Sequence, residues 1–575
     1  MSMSMSTSMP MQKLPKKAMA LVVGAGPTGI AALRSLKEVG TVVCVDTRDS
    51  IGGALCHAYK GFSLTVTDKN MCYSDSNYNI GNNANGRYPE ASWYAEYLEN
   101  YVEEKNIKDM IYLNTKVTGT KHEGEKWTCE TTAGTIVVDH LVVCPGFGSV
   151  PKFPHWADPS SIDTNIPIKH TSTLKSTKLG VKSTLVVGYG ESSADFVYEA
   201  AKSPDSEVVL YVRRGFTTGM RLQTGEEETD ANIRKVRNGN QMLEFVANHP
   251  LRNMLPKSLF GIFTWLRFVI GGKNPGAGLN AAHCGLACDQ EDIVTKNGRF
   301  HTSPNVRVVA SPANPVIQKD HVELPDGTTM KPDVIILGTG FQRRISWLNA
   351  CLCVASLEHG FTHPSYNRSL HIMGYLRPHQ GGVPILAELQ SRVLAHEIKN
   401  GFVKCDEMAM MKHKKARSDY YKLLPGNVTL TDLPSYSLYL QKLMGEETSL
   451  FYWLTHPITA LSAFVHPMWP DWFKRQEEGY PSVGFQLSDF THPSTFFNPI
   501  GFGILFGLML PFQSISYLLG FPGDSLRPKN SIQWGVISKA HRQLMTLCNI
   551  GMIGAGNYFT GAHVPVGKYI EGLMA

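Results

Sequence analysis

The chain of 575 residues has a formal net charge of +6, with 43% hydrophobic and 18% charged residues. That composition describes a globular protein of two to four domains and excludes a disordered or collagen-like chain. The basic residues are dispersed and no basic-aromatic stretch accompanies them, which argues against nucleic acid as a partner.

Residues 1–16 form a tail that begins by alternating Met and Ser and lacks the basic and apolar regions of a secretory signal. With eleven cysteines, an odd number without repeated spacing, this points to a reduced cytoplasmic protein that is not secreted. The first strong signal follows. The apolar run Ala20-Leu-Val-Val23 leads into Gly24-Ala-Gly26-Pro-Thr-Gly29. A buried strand, a tight glycine turn and a helix in that order make a dinucleotide site. The first glycine turns the chain, the second admits a pyrophosphate to the backbone, and the third packs helix on strand. The next strand, Thr41-Val-Val-Cys-Val-Asp46, ends in a carboxylate 22 residues beyond Gly24. A carboxylate there accepts from a ribose diol and repels a 2′-phosphate, which suits FAD or NAD.

Residues 92–102 have the spacing of an amphipathic helix, and 127–131 with 134–138 that of a hairpin. The strand Leu141-Val-Val-Cys144 then ends at Pro145-Gly146. A second fingerprint follows, with Thr184-Leu-Val-Val187 leading into Gly188-Tyr-Gly190-Glu-Ser192-Ser193. Its next strand, Glu207-Val-Val-Leu-Tyr-Val, ends in Arg213 and Arg214, 25 and 26 residues beyond Gly188. Guanidinium forks pair with phosphate, so this site suits the 2′-phosphate of NADPH. Ser192 and Ser193 lie in the turn as pyrophosphate ligands or helix caps.

An insertion follows over 215–280, polar and charge-rich from 219 to about 241. Near residues 322–330 a turn at Asp326-Gly327 predicts a second hairpin. The strand Asp333-Val-Ile-Ile-Leu337 then closes in Gly338-Thr-Gly340. Two strands ending in glycine turns, at Gly146 and Gly340, are what two crossovers between nucleotide domains require. The fold class is therefore α/β, with two Rossmann-like dinucleotide-binding domains, the second inserted in the first. The expected boundaries are 17–150 with 335–403 for FAD, 151–334 for NADPH, and 404–575 for a mostly helical, aromatic C-terminal extension.

Within that extension, residues 491–523 contain no Lys, Arg, Asp or Glu. The length reaches that of a bilayer span. Pro511 interrupts it, and a single span would place the basic residues beyond it opposite the cytosol, against the positive-inside tendency. A buried or interfacial segment is expected instead, giving peripheral contact with the cytosolic face of an internal membrane. His283, Cys284 and Cys288 have no accompanying Cys-x-x-Cys, and no metal site is assigned to them.

The ordered motifs resemble the class B flavin monooxygenases of the flavin-containing monooxygenase type, over residues 18–401. They are the Gly24 fingerprint, Asp46, Ile51-Gly-Gly53, Tyr73-Ser-Asp75, the Gly188 fingerprint, Arg213-Arg214, Leu337-Gly-Thr-Gly340-Phe341, and the segment from Gly382 to Arg392 that contains Glu388 and Gln390. The resemblance implies FAD on the first fingerprint and Gly53, and NADPH on the second, with Gly340 and Gln390 as further cofactor-binding residues. It also implies a monooxygenase in which O₂ forms a flavin C4a-hydroperoxide, one oxygen atom then passing to a small organic molecule. N- or S-oxygenation stands ahead of Baeyer–Villiger oxidation of a ketone. The chain departs from the family pattern around His170, where Thr164, Ile166 and Leu174 replace the expected Phe, Gly and aromatic residue. Thr65 stands where many members keep Asn, leaving Asn70 or Asn77 as substitutes. His170 and Asn70 are the catalytic candidates. A pyridine nucleotide–disulfide reductase would need a dithiol beside the flavin, and Cys56 stands alone there. A non-catalytic flavoprotein, acting as scaffold or redox sensor, is the remaining alternative.

Overall fold

The computed structural model describes residues 13–62, 64, 66, 69–76, 90–146, 150–213, 217–220, 293–296, 303–342, 345–348, 350, 357–378, 381–402, 430–431, 433–446 and 455. Arg214, Thr65, Asn77, the 221–280 part of the insertion, the His283–Cys288 cluster and the apolar stretch 491–523 lie outside them.

The first sheet is built from β1 (Lys17–Val23), β2 (Val42–Val45), β3 (Ile111–Tyr112), β4 (Val117–Glu123), β5 (Lys126–Thr131) and β6 (Gly134–Val143). Their spatial order is β3-β2-β1-β6-β5-β4. The central strands β2, β1 and β6 are parallel, with Val22 opposite both Cys44 and Val142. Their apolar runs are buried on both faces, as parallel strands covered by helices require. One cover is α1 (Pro27–Leu36), which opens with Pro at its first position. Beside it lies α2 (Ala91–Glu104), Lys37 at the end of α1 donating to the Lys105 carbonyl at 2.9 Å; Tyr94, Tyr97, Leu98 and Tyr101 of α2 recur at helical spacing and are buried. The expected hairpin forms between β5 and β6, and β6 runs on through Leu141, making one strand where the sequence suggested two.

The chain leaves this sheet through β7 (Val150–Pro151) and enters a second one. That sheet comprises β8 (Ile168–His170), β9 (Ser183–Val187), β10 (Glu207–Val212), β11 (Val306–Ala310) and β12 (Val334–Leu337), in the order β11-β10-β9-β12-β8. All pairs in it are parallel. Helix α3 (Glu191–Ala201) connects β9 to β10 and buries Ala194, Phe196 and Val197. The hairpin around Gly327 forms, and Gly327 takes a φ of +82° that its turn demands.

The return path runs beside the exit. β13 (Phe341–Gln342) pairs antiparallel with β7, Phe341 opposite Pro151 and Gln342 opposite Val150. The chain then rejoins the first sheet at β14 (Leu370–Ile372), parallel to β6. Helix α4 (Val383–Asn400) packs on α1, and α5 (Leu433–Met444) packs on α4. Among the described residues no helix is long and apolar enough to cross a membrane.

Candidate active site

The first fingerprint is fixed by backbone sterics. Gly24 has a φ of +112°, and a Cβ there would strike the Cys144 carbonyl. A Cβ on Gly29 would strike the Gly24 carbonyl, so the third glycine sets the approach of α1 to its strand. Gly26 behaves differently. Its nearest neighbour would be Gly53 Cα at 3.5 Å, and a Cβ on Gly53 would lie 3.0 Å from Gly26 Cα. Two chain segments thus face each other through bare backbone. Gly52 N–H donates to the Ala25 carbonyl at 3.0 Å and holds them together. Gly26 also caps α1 without any side-chain hydrogen bond, leaving the helix N-terminus to accept an anion.

Asp46 stands at the end of β2, 7% exposed. Its Oδ2 accepts from Ala25 N–H at 2.7 Å and its Oδ1 from Arg48 N–H at 2.8 Å. Each oxygen has a further lone pair, so the carboxylate is held rigidly against the turn with acceptor capacity left over. Gly24, Gly26, Gly29, Asp46 and Gly53 therefore come together around one turn. This bare, anion-receptive cradle beside a fixed carboxylate fits the pyrophosphate and ribose of FAD.

The second fingerprint has the same plan. Gly188 has a φ of +88°, and a Cβ on it would lie 2.8 Å from the Gly338 carbonyl. Gly190 caps α3 without a side-chain hydrogen bond and has open space around it. Neither serine caps the helix by its side chain. Ser193 is fully buried in the third-glycine position, its Oγ 3.5 Å from the Gly338 carbonyl. A Cβ on Gly338 would collide with it, so Ser193 and Gly338 are matched small residues packing helix on strand. Ser192 reaches Tyr59. Arg213 is exposed just past β10, two residues beyond Tyr211, whose carbonyl accepts from Gly188 N–H at 2.8 Å. An open helix N-terminus flanked by an exposed guanidinium fits a nucleotide with a 2′-phosphate.

His170 ends β8 and is 1% exposed. Its Nε2 lies 2.9 Å from the Gly340 carbonyl oxygen and its Nδ1 2.8 Å from Ser172 Oγ, with Ser172 N–H donating to Nδ1 at 3.2 Å. A carbonyl only accepts, so the proton sits on Nε2. Burial pushes its pKa down and outweighs the upward pull of the Gly340 bond. Phe153 and Phe341 meet the ring edge-on at 5.9 and 5.1 Å. Gly340, with a φ of +76°, also accepts from Lys152 N–H at 2.9 Å. Through Nε2 the histidine thus ties the end of β8 to the Gly340 turn, while Nδ1 is held locally by Ser172.

Asn70 is fully buried in the turn Lys69–Met71, its carbonyl pressed against Gly382 at the start of α4. Glu388 holds this loop from above. It accepts from Ser74 N–H at 2.8 Å and from Ser74 Oγ, with Arg392 beside it at 3.8 Å. Burial raises the Glu388 pKa against the opposing pull of Arg392. Gln390 is turned elsewhere. Its Nε2 donates to Tyr436 Oη at 2.9 Å inside the α4–α5 contact, while its buried Oε1 has no hydrogen-bond partner among the described residues. The sequence reading missed Tyr73, whose Oη donates to the Pro27 carbonyl of the first turn at 2.6 Å, and Tyr59. Tyr73 lay within a quoted motif and so had a signal. Tyr59 had none beyond standing six residues after Gly53.

A family model described as pyridine nucleotide-disulphide oxidoreductase matches residues 21–234. The 4-hydroxybenzoate brominase (decarboxylating) of Pseudoalteromonas luteoviolacea is 25% identical over 74% of this chain and 83% of its own. Flavin-containing monooxygenase 1 of Mus musculus is 24% identical over 79% of this chain and 88% of its own. Among solved structures, an oxidized steroid monooxygenase bound to NADP superposes with a TM-score of 0.54 at 16% identity, over 75% of this chain and 98% of that one. The chain is thus similar in sequence to flavin-containing monooxygenase and brominase relatives and shares the fold of class B flavin monooxygenase structures. The relatives and structural neighbours include flavin monooxygenases, one of the structures bound to NADP, and the two glycine cradles of this chain fit FAD and NADPH. Among its described residues Cys44, Cys56, Cys72, Cys129 and Cys144 are free thiols, and no group of metal-ligating side chains occurs.

Proposed function

We propose that this chain is a monooxygenase that oxygenates a nitrogen or sulfur centre of a small organic molecule. The observation that carries the reading is the pair of bare glycine turns on adjoining sheets, one beside Asp46 and the other beside Arg213. Gly24, Gly26, Gly29, Gly53 and Asp46 would hold FAD. Gly188, Gly190, Ser192, Arg213 and Arg214 would hold NADPH. When bound, the reduced flavin supplies the chemistry that activates O₂. The chain supplies position. Asp46 would fix the ribose, the α1 and α3 N-termini would hold pyrophosphates, and His170 would steady the Gly340 turn that leads back to the first sheet. The expected boundary at 335 moves to the β7–β13 crossover, because β12 (Val334–Leu337) pairs within the second sheet: 17–150 with about 341–403 would hold FAD, and 151 to about 340 NADPH.

Leu174 stands where the ketone-oxidising pattern and the heteroatom-oxidising pattern each place an aromatic residue, so the surroundings of His170 favour heteroatom oxygenation only slightly. A second reading, bromination of an activated aromatic ring, is favoured by one observation. The brominase relative is matched over 83% of its length. Both are tested by supplying ¹⁸O₂ and NADPH with panels of sulfides, amines, ketones and phenols, with and without bromide. One heavy oxygen in an amine or sulfide product is the expected result. A lactone or ester, a brominated phenol, or hydrogen peroxide alone would overturn it in favour of Baeyer–Villiger, halogenase or non-catalytic readings respectively.

A further inference from the structure

The segment that lines the FAD cradle does not stop there. Six residues after Gly53 it delivers Tyr59 into the other domain. The Tyr59 ring is 6% exposed and packs in the apolar core of the second sheet, 5.1 Å from the Phe196 ring of α3. Its Oη donates to Asp195 Oδ2 at 2.6 Å and accepts from Ser192. Both partners lie in the first two turns of α3, the helix whose N-terminus opens the second nucleotide site. The next residue extends the link along a different element. Lys60 N–H donates to the Lys175 carbonyl at 2.9 Å and forms a parallel bridge with Ser176. Phe62, against the Tyr59 ring at 5.4 Å, accepts from Ala91 N–H at the start of α2.

We propose that Tyr59 is a positioning residue for hydride transfer, locking the start of α3 to the FAD cradle through Ser192 and Asp195. The proposal rests on the assignment of FAD and NADPH to the two fingerprints. The segment Gly53–Tyr59 is short, and both of its ends are fixed. At one end Gly53 faces Gly26 across bare backbone, and at the other the phenol grips the helix that would carry the NADPH pyrophosphate. Lys60 fixes the segment to residues 175 and 176, whereas Tyr59 fixes it to α3 itself. A phenol donating to a carboxylate out of solvent is a charge-assisted bond, stronger and more directional than a neutral one. Hydride transfer is sensitive to such registration, because a misplacement of about 1 Å can cost about 100-fold in rate. Loss of the phenol hydroxyl leaves the helix N-terminus, Gly190 and Arg213 in place, so the nucleotide still binds. It frees the nucleotide to sit out of register with the flavin.

The test is anaerobic stopped-flow reduction of the purified holoenzyme, with NADPH varied to saturation, for wild type, Tyr59→Phe, Asp195→Asn and the double variant. Tyr59→Phe keeps the ring in its apolar pocket. Expected are unchanged FAD content and unchanged reduction by dithionite, an NADPH Kd within about threefold of wild type, and a limiting reduction rate lower by about tenfold or more. The double variant should lose no more than the worse single variant, since both remove one bond. A limiting rate in Tyr59→Phe equal to wild type overturns the proposal, as does a loss confined to FAD content or Tm. If Tyr59→Phe does not fold, an Asp195→Asn limiting rate equal to wild type overturns it as well. Wild-type enzyme that NADPH cannot reduce would instead refute the nucleotide assignment.

Discussion

His170 Nε2 donates to the Gly340 carbonyl at 2.9 Å, joining the end of β8 to the crossover 170 residues later. Burial lowers the His170 pKa. The fully buried His371, which meets His140 at 3.3 Å, is lowered further by its own desolvation and then by its neighbour. Each is neutral in the native state, while the unfolded chain takes up a proton below about pH 6.5. The unfolded state then binds more protons, so stability rises with pH in this window and is lost as pH falls below about 6.5. Thermal melts from pH 5 to 8 should show this acid limb in the wild type and a flatter one in His170→Gln with His371→Asn. An unchanged limb would remove these histidines from the account.

Two glycines of the first fingerprint should respond differently to the same methyl group. Gly29→Ala drives a Cβ into the Gly24 carbonyl, and no side chain can yield there. The variant should be insoluble or lose several kcal/mol, on the order of the largest single-site effects. Gly26→Ala meets only Gly53 Cα at 3.5 Å, an ordinary contact. It should fold, with a Tm near wild type, and bind FAD at least about tenfold more weakly, because the methyl stands where a pyrophosphate must approach. Flavin absorbance against protein, with a melt on the same sample, separates the two. Stoichiometric flavin in Gly26→Ala would move the FAD site elsewhere.

Arg213 is exposed past β10, beside the Gly188 turn, and Arg214 follows it. Replacing both with Ala should weaken NADPH by about 1.5–3 kcal/mol, the loss of a charge-assisted contact. NADH, which lacks the 2′-phosphate, should be nearly unaffected. KM for the two nucleotides in steady-state oxidation checks this, and equal losses for both would contradict the assignment.

The glycine turns were legible because their cause is local. A positive φ at Gly24 and Gly188 and a strand before each are written within ten residues. Two strands ending in glycine turns marked the two crossovers, but not their antiparallel pairing as β7 and β13. What the sequence did not show are contacts between segments far apart with no period to mark them: His170 with Gly340, Tyr59 with Asp195 over 136 residues, and Gln390 with Tyr436. Ser193 illustrates the same limit. Its side chain could serve a phosphate or a cap, and only the bare Gly338 opposite it, 145 residues away, decides that it packs.

Glu388 should prove a support for Asn70 and its loop. It accepts both Ser74 N–H and Ser74 Oγ from α4, while the Asn70 carbonyl rests on Gly382 at the start of the same helix. Glu388→Ala leaves the Ser74 donors without their buried acceptor and should cost about 2–4 kcal/mol. Glu388→Gln still offers Ser74 a carbonyl and should cost about 1 kcal/mol at neutral pH. Burial raises the Glu388 pKa above its unfolded value. The native state therefore holds the proton over a window just above about pH 4.3, and this group's contribution to stability falls as pH rises through that window. Glu388→Gln cannot titrate, so the Tm difference between wild type and this variant should change across pH 4 to 7 in favour of the variant. A constant difference would show that Glu388 holds the same charge folded and unfolded, and that its hold on the loop comes from hydrogen bonds alone.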